Sequence, residues 1–253
     1  MTLSYQNEYE ATLQFKDGGD QTLNPVRRIT GLVKLKQIAS LIDVLDLDAN
    51  PRDSKLGNVT ADIMETLEMT PELYPIKSKG ILLAASQYRE LDRNRIEILF
   101  ANKDLEGILD GGHNMLAIGH FLMGKALTDR AALKELKAAK IWSDFKDVHR
   151  RYKPVFDQYL RSGAPELETQ AWVELIVPSA DDEISLENFE NALLDIGEAR
   201  NNNAALKQET KTDKAGFYDP LKLYLDPRIA DRIEWKTNDS GKIKVADLVA
   251  LAW

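Results

Sequence analysis

The sequence contains no cysteine, and no apolar run in it approaches the length that crosses a membrane. The absence of cysteine excludes disulfide bonds and thiolate metal sites, and it is compatible with a reducing compartment. A membrane-spanning helix needs roughly 18 or more apolar residues in succession, so we predict no membrane partner. The first ten residues also lack the basic and then apolar pattern of a signal peptide. We therefore expect a cytoplasmic protein.

Histidine is also scarce, and acidic residues outnumber basic ones, 41 to 33. The three histidines, His113, His120 and His149, are too few to make a zinc site by themselves, and we predict no metal site. The formal net charge is −8, which argues against a protein that coats nucleic acid non-specifically, because such binding needs clustered basic residues. The densest basic run extends from Lys146 to Lys153. We interpret it as a solvated helix face in preference to a nucleic-acid contact.

Hydrophobic residues make up 43% of the 253 residues, enough for one large core or two smaller ones. Alternating spacing predicts strands and 3.6-residue spacing predicts helices. The predicted strands cover residues 26–33, 95–100 and 172–177 with a further strand within 76–85, and the predicted helices cover residues 35–45, 59–67, 128–140 and 144–160. We therefore predict a mixed α+β fold, with a core at 1–180 and a helical C-terminal subdomain at 181–253. Because the sequence ends on apolar Leu251-Ala-Trp253, we expect the native chain to continue beyond it.

The glycine turn, which we define as residues 110–113 (Asp-Gly-Gly-His), joins a short apolar run to an apolar-periodic helix. Backbone N–H groups at a helix start have no partner within the helix, so they can contact an anion. This position predicts a phosphate site, in which Gly112 lets the backbone approach the anion or adopts a positive φ. The simpler alternative is that Gly111-Gly112 makes a tight turn and His113 caps the helix.

Four motifs occur in a fixed order along the chain: Asn50-Pro51-Arg52, the Lys79-Gly80-Ile81 strand, Ile108-Leu-Asp-Gly-Gly-His113, and Glu198-Ala-Arg-Asn-Asn-Asn203 with Lys207. In this order they resemble the AIPR family of abortive-infection phage-resistance proteins. That family is related to DGQHR-type domains and, more distantly, to the ParB/sulfiredoxin fold. The similarity spans roughly residues 25 to 215.

The resemblance implies a ParB/sulfiredoxin-like core sheet with helical additions, and a pocket for nucleotide phosphates between the Asn-Pro-Arg loop and the glycine turn. Arg52 would contact the phosphate, Gly111 and Gly112 would cradle it, and His113 would be a polar contact or an acid/base group. The other ligand contacts implied are Asn50, Lys79, Asp110, Asn114, Arg200, Asn201 and Lys207.

Two positions depart from the family pattern. Asn114 stands where an arginine often follows the histidine, which removes one phosphate-binding charge and argues against nucleotide hydrolysis. Lys79 stands where asparagine is usual, and it restores a positive charge if it points inward. The asparagines after Arg200 also suit a helix C-cap, so both interpretations stay open for them.

The leading functional interpretation is an anti-phage defence protein that binds a nucleotide or a nucleic acid, with Mg²⁺ as the cofactor that a bound nucleotide would bring. One alternative is a metal-dependent DNA nuclease or nucleotide hydrolase, whose metal carboxylates would be Asp110 with Asp104 or Glu106. Another is a protein-interaction scaffold with a vestigial pocket. Whether the protein is an enzyme stays open at this point. A homo-oligomer and a partner protein of a defence system are both compatible with the sequence.

Overall fold

The computed structural model describes residues 10–45, 54–102, 105–200, 218–230, 232–235, 243–245 and 247–248. The strands are β1 (Glu10–Gln14), β2 (Lys16–Leu23), β3 (Val26–Lys34), β4 (Ile81–Ala84), β5 (Gln87–Leu91), β6 (Arg95–Leu99), β7 (Gly107–Asp110), β8 (Gln170–Pro178), β9 (Ile233–Glu234) and β10 (Ile243–Lys244). The α-helices are α1 (Leu35–Val44), α2 (Asn58–Met69), α3 (Tyr74–Lys77), α4 (Gly112–Ala126), α5 (Arg130–Ala138), α6 (Trp142–Leu160), α7 (Glu183–Arg200), α8 (Asp219–Tyr224) and α9 (Pro227–Ala230). The mixed α+β fold class is thus confirmed. None of the described helices is long and apolar enough to cross a membrane.

A five-stranded sheet in the order β2-β3-β8-β4-β7 forms the centre of the first of two compact units, residues 1–192. The middle strand, β8, pairs antiparallel with β3 along nine residues and parallel with β4 along four. Val173, Leu175 and Val177 of β8 are completely buried. These three residues lie on one face of the strand, and Ile176 on the other face is also buried. The strand therefore reads as a mostly apolar run, which explains why residues 172–177 predicted it correctly.

A second sheet of three antiparallel strands has the order β1-β6-β5. Strands β5 and β6 form a hairpin whose turn comprises residues 92–94. Arg93 and Asn94 adopt left-handed backbone angles there, with φ values of 65° and 54°. Residues with positive φ let a tight hairpin turn follow the right-handed twist of the two strands.

Helix α4 is the central helix of the first unit. It is apolar on almost every side, and 12 of its residues are buried, including all of those from Asn114 to Met123. A helix that is apolar all round is stable only inside a protein, so α4 packs against α1, α2 and α6.

Helix α6 bends at Tyr152, whose ψ of 15° is not helical, two residues before Pro154. Proline in a helix interior removes a hydrogen bond and clashes with the preceding turn, which accounts for the bend.

The basic run on α6 packs partly against α1. Lys146 donates hydrogen bonds to the carbonyl oxygens of Ile42 and Leu45, at 2.7 and 3.0 Å, and so satisfies the C-terminal end of α1. His149 is only 3% exposed. The interpretation of a solvated helix face is therefore wrong for these two residues. It holds for Arg150, which is mostly exposed and pairs with Asp147 on its own helix.

The second compact unit comprises residues 193–253. Its described part contains helices α8 and α9 and a two-stranded parallel sheet of β9 and β10. Tyr218, Ile233 and Val245 are buried together and form a small apolar core.

Candidate functional site

The glycine turn lies between the end of β7 and the start of α4. Gly111 precedes the helix with a φ of 92°, in the left-handed region that favours glycine. A Cβ atom at this position would lie 2.5 Å from the carbonyl oxygen of Gly80 and 2.9 Å from Cα of Ile81. Of the two alternatives predicted for Gly112, the positive φ is wrong, because Gly111 has it and Gly112 is the first residue of the helix. The approach of the Gly112 backbone to an anion stays a prediction. Gly111 is therefore what lets β7 turn into α4 so close to β4.

The start of α4 carries backbone donors that the helix does not use. The first hydrogen bond within the helix is donated by the N–H of Met115 to the carbonyl oxygen of Gly111, at 3.0 Å. The N–H groups of Gly112, His113 and Asn114 come before it and have no acceptor inside the helix. The N–H of Gly111 donates to Oδ1 of Asp110 at 2.7 Å. Three donors at the positive end of a helix thus have no acceptor within it, and one carboxylate lies beside them.

The side chain of Asn114 holds this turn in place. Its Oδ1 accepts hydrogen bonds from the hydroxyl groups of Tyr74 and Ser78, at 3.0 and 2.8 Å, and its Nδ2 donates to the carbonyl oxygen of Gly80 at 2.9 Å. Burial raises the pKa of Tyr74 to about 12, so its hydroxyl stays protonated and donates. We call these four residues the Asn114 network. Because the Asn114 side chain is engaged inside it, the group that this residue could offer a ligand is its backbone N–H.

His113 and Lys79 flank the turn in different ways. His113 is half-buried at the second position of α4. Lys79 is exposed on the approach to β4 and precedes Gly80, whose carbonyl is bound by Asn114. Lys79 therefore does not point inward, and the charge that it would restore lies at the surface.

The other predicted ligand contacts do not belong to the described part of the first compact unit. Asn50, Arg52, Asn201 and Lys207 lie outside the described residues. Arg200 is the exposed last residue of α7 and belongs to the second compact unit.

Glu106 is one of the carboxylates proposed for a metal. Glu106 is 3% exposed and accepts a hydrogen bond from the N–H of Ala101 at 2.8 Å, within the loop before β7. Burial raises the pKa of Glu106, although several hydrogen bonds oppose that shift. Asp104 lies outside the described residues. In the part of the chain that the structure describes, no group of three or more histidine or acidic side chains is arranged to hold a metal ion.

A second feature was not found from the sequence. The arginine cleft lies between the β2–β3 and β5–β6 hairpins and has a volume of about 370 Å³. We define it as the cavity lined by Phe15, residues 17–20, Arg27, residues 29–30, residues 90–91 and residues 93–96. Arg27 joins the two hairpins through Asp20 at 2.6 Å and Glu90 at 2.5 Å, and it donates to the Tyr88 hydroxyl at 3.1 Å. Its hydrogen bond with Asp20 raises the pKa of Arg27 and lowers that of Asp20. The sequence did not predict this cleft, because its arginines lie in a turn and in strands that are far apart in the chain.

No protein-family model, curated protein or solved structure matches this chain. The similarity to the AIPR family and to a ParB/sulfiredoxin-like core therefore stays a prediction that depends on the order of four motifs.

Proposed function

We propose that this protein binds a nucleotide or a nucleic acid through phosphate contacts at the glycine turn and acts in anti-phage defence. The observation that supports the phosphate contact is the start of α4, where the N–H groups of Gly112, His113 and Asn114 have no acceptor within the helix. The defence role is supported by the motif order that resembles the AIPR family.

Rigidity of the turn strengthens this proposal. The Asn114 network ties the first turn of α4 to α3 and to the residue before β4, so the three donors are held in position before a ligand arrives. Donors that are already ordered lose less conformational entropy on binding than donors on a loose loop. His113, half-buried in the first turn of the same helix, adds a polar side chain to this part of the chain.

Asp110 determines which form of phosphate fits best. Its carboxylate accepts from the Gly111 N–H and therefore lies near the same helix end that would hold the phosphate. Two negative groups repel each other unless a cation lies between them. Mg²⁺ in proteins is commonly bound by one or two carboxylates together with the phosphates of the ligand. The proposal thus favours a nucleotide that binds with Mg²⁺ over free inorganic phosphate.

Thermal unfolding with candidate ligands tests the proposal. ATP, ADP, AMP, a short DNA and a short RNA are each added with and without Mg²⁺. A ligand that binds the folded chain at about 100 times its Kd adds about 2.7 kcal/mol of stability, which is about 5–10 °C in Tm for a chain of this size. If none of these compounds raises Tm, the glycine turn is only a structural turn.

Variants locate the binding. His113→Ala should reduce the affinity measured by calorimetry with little change in Tm, whereas a mere capping residue would lose about 1 kcal/mol of stability and no affinity. Lys125→Ala is the matched control, because Lys125 lies near the opposite end of the same helix and pairs with Glu68. Arg52→Ala should weaken phosphate binding by about 1.5–3 kcal/mol. Full affinity in both His113→Ala and Arg52→Ala would place the ligand elsewhere.

A further inference from the structure

The arginine cleft has three apolar side chains among its mostly polar lining residues. Phe15, Ile29 and Ile96 line it and are at most 6% exposed. At about 370 Å³, the cleft falls in the size range of small-molecule sites. A ligand that filled it would bury an apolar part against these three side chains.

Two guanidinium groups of the cleft are not paired with carboxylates. In the described ranges, Arg93 and Arg95 form no ion pair, whereas Arg27 is neutralised by Asp20 and Glu90. Arg95 donates a hydrogen bond from its Nε to the carbonyl oxygen of Asp92 at 3.0 Å, which fixes the orientation of the guanidinium plane. Its two Nη atoms remain as donors for a ligand. Such a fork matches the two oxygens of a phosphate or carboxylate group.

The closely paired strands β2 and β3 form the other wall of the cleft. The register between β2 and β3 shifts between Lys16 and Gly19, so the wall contains a β-bulge. A Cβ atom at Gly18 would lie 1.7 Å from the carbonyl oxygen of Thr30, which means that the two strands approach closely because this residue is glycine. Asp17 of the bulge also lines the cleft and offers an acceptor for a hydroxyl or amino group.

We propose that the arginine cleft is a second ligand site, which binds a small molecule with an apolar body and a phosphate or carboxylate group. Arg93 and Arg95 contact the oxyanion, and Phe15, Ile29 and Ile96 contact the apolar part. Arg27 keeps the two hairpins at the distance that the ligand requires, because it bonds to Asp20 of β2 and Glu90 of β5 at once. The site shares no residue with the glycine turn and does not depend on its function.

Amide NMR spectra of the ¹⁵N-labelled chain test this site with two probes, AMP for phosphate and N-acetyl-leucine for carboxylate. Saturable shifts at the amides of residues 17–20 and 93–96 are expected with at least one of them. Binding at the glycine turn would instead shift residues 111–114, so each proposal can fail separately. The absence of saturable shifts at the cleft at millimolar concentrations of both probes would overturn the second site.

A double variant tests the two arginines. Arg93→Ala/Arg95→Ala should weaken the affinity measured at the cleft amides by about tenfold or more, and it should leave the fold intact because both side chains are exposed. The matched control is Arg89→Ala, on the same hairpin, which removes a guanidinium group that pairs with Glu97 and does not line the cleft. Unchanged affinity in the double variant, or an equal loss in the control, would contradict the proposal.

Discussion

Replacing Gly111 by alanine should destabilise the first compact unit by about 2–5 kcal/mol, the sum of two separate effects. The first is the left-handed backbone at a φ of 92°, which costs a residue with a Cβ atom about 1–2 kcal/mol. The second is crowding, because the new methyl group would lie 2.5 Å from the Gly80 oxygen and 2.9 Å from Cα of Ile81. Both neighbours are backbone atoms, so β4 or the turn must move, at about 1–3 kcal/mol.

Urea unfolding measures this loss, and Gly163 provides the control that separates the two effects. Gly163 has a similar φ of 74°, but no atom lies within 4 Å of the position that its Cβ would take. Gly163→Ala should therefore lose only the backbone part, about 1–2 kcal/mol. If the two variants lose the same free energy of unfolding, the close approach of the turn to β4 is not a constraint, and our account of Gly111 fails.

Three further predictions concern buried polar groups. Asn114→Ala should lower the free energy of unfolding by about 2–4 kcal/mol, since it removes three hydrogen bonds and leaves the Gly80 carbonyl without this donor; a loss below about 1 kcal/mol would contradict this role. Burial lowers the pKa of His120 to about 4 from 6.5. As the pH falls, the imidazole is therefore protonated in the unfolded chain before it is protonated in the folded chain, and the free energy of unfolding falls by about 3 kcal/mol between pH 7 and pH 4. His120→Gln should make that decrease shallower, and identical pH profiles would refute the assignment. Lys146→Met should lower the free energy of unfolding by about 1–2 kcal/mol, because it removes the hydrogen bonds at the end of α1. Replacement of the exposed Arg150 by alanine should change it by less than about 0.5 kcal/mol. Equal urea midpoints for the two variants would exclude the capping role of Lys146.

Much of the local structure could be predicted because it depends on spacing within one element. The alternation in residues 26–33 and the apolar run at 172–177 predicted β3 and β8, and the helical spacing after Leu35 predicted α1. The arrangement of these strands could not be predicted in the same way. The antiparallel pairing of β8 with β3 and its parallel pairing with β4 depend on contacts between segments far apart in the chain.

The candidate site shows the same division. A glycine pair between a strand and a helix predicted the turn, but either glycine permits a positive φ, and the closeness of Gly80 is what selects Gly111. The partners of Asn114 are 40 and 36 residues away, at Tyr74 and Ser78, a distance over which residue spacing carries no information. The place of Arg93 in a cleft could not be predicted, because the cleft forms only where two hairpins meet.

The position of β8 in the sheet has a consequence for the order in which the molecule can be assembled during translation. Residues of β3 pair with residues of β8 that are 136 to 152 positions later in the chain. At about 5–20 residues per second, a ribosome needs about 7–30 s to make that stretch. During this interval the β2–β3 hairpin exists without its neighbour, and an unpaired strand edge is open to other chains. The central strand of the sheet is also the last of its five strands to be synthesised, so slow elongation before Gln170 should favour aggregation of the nascent chain.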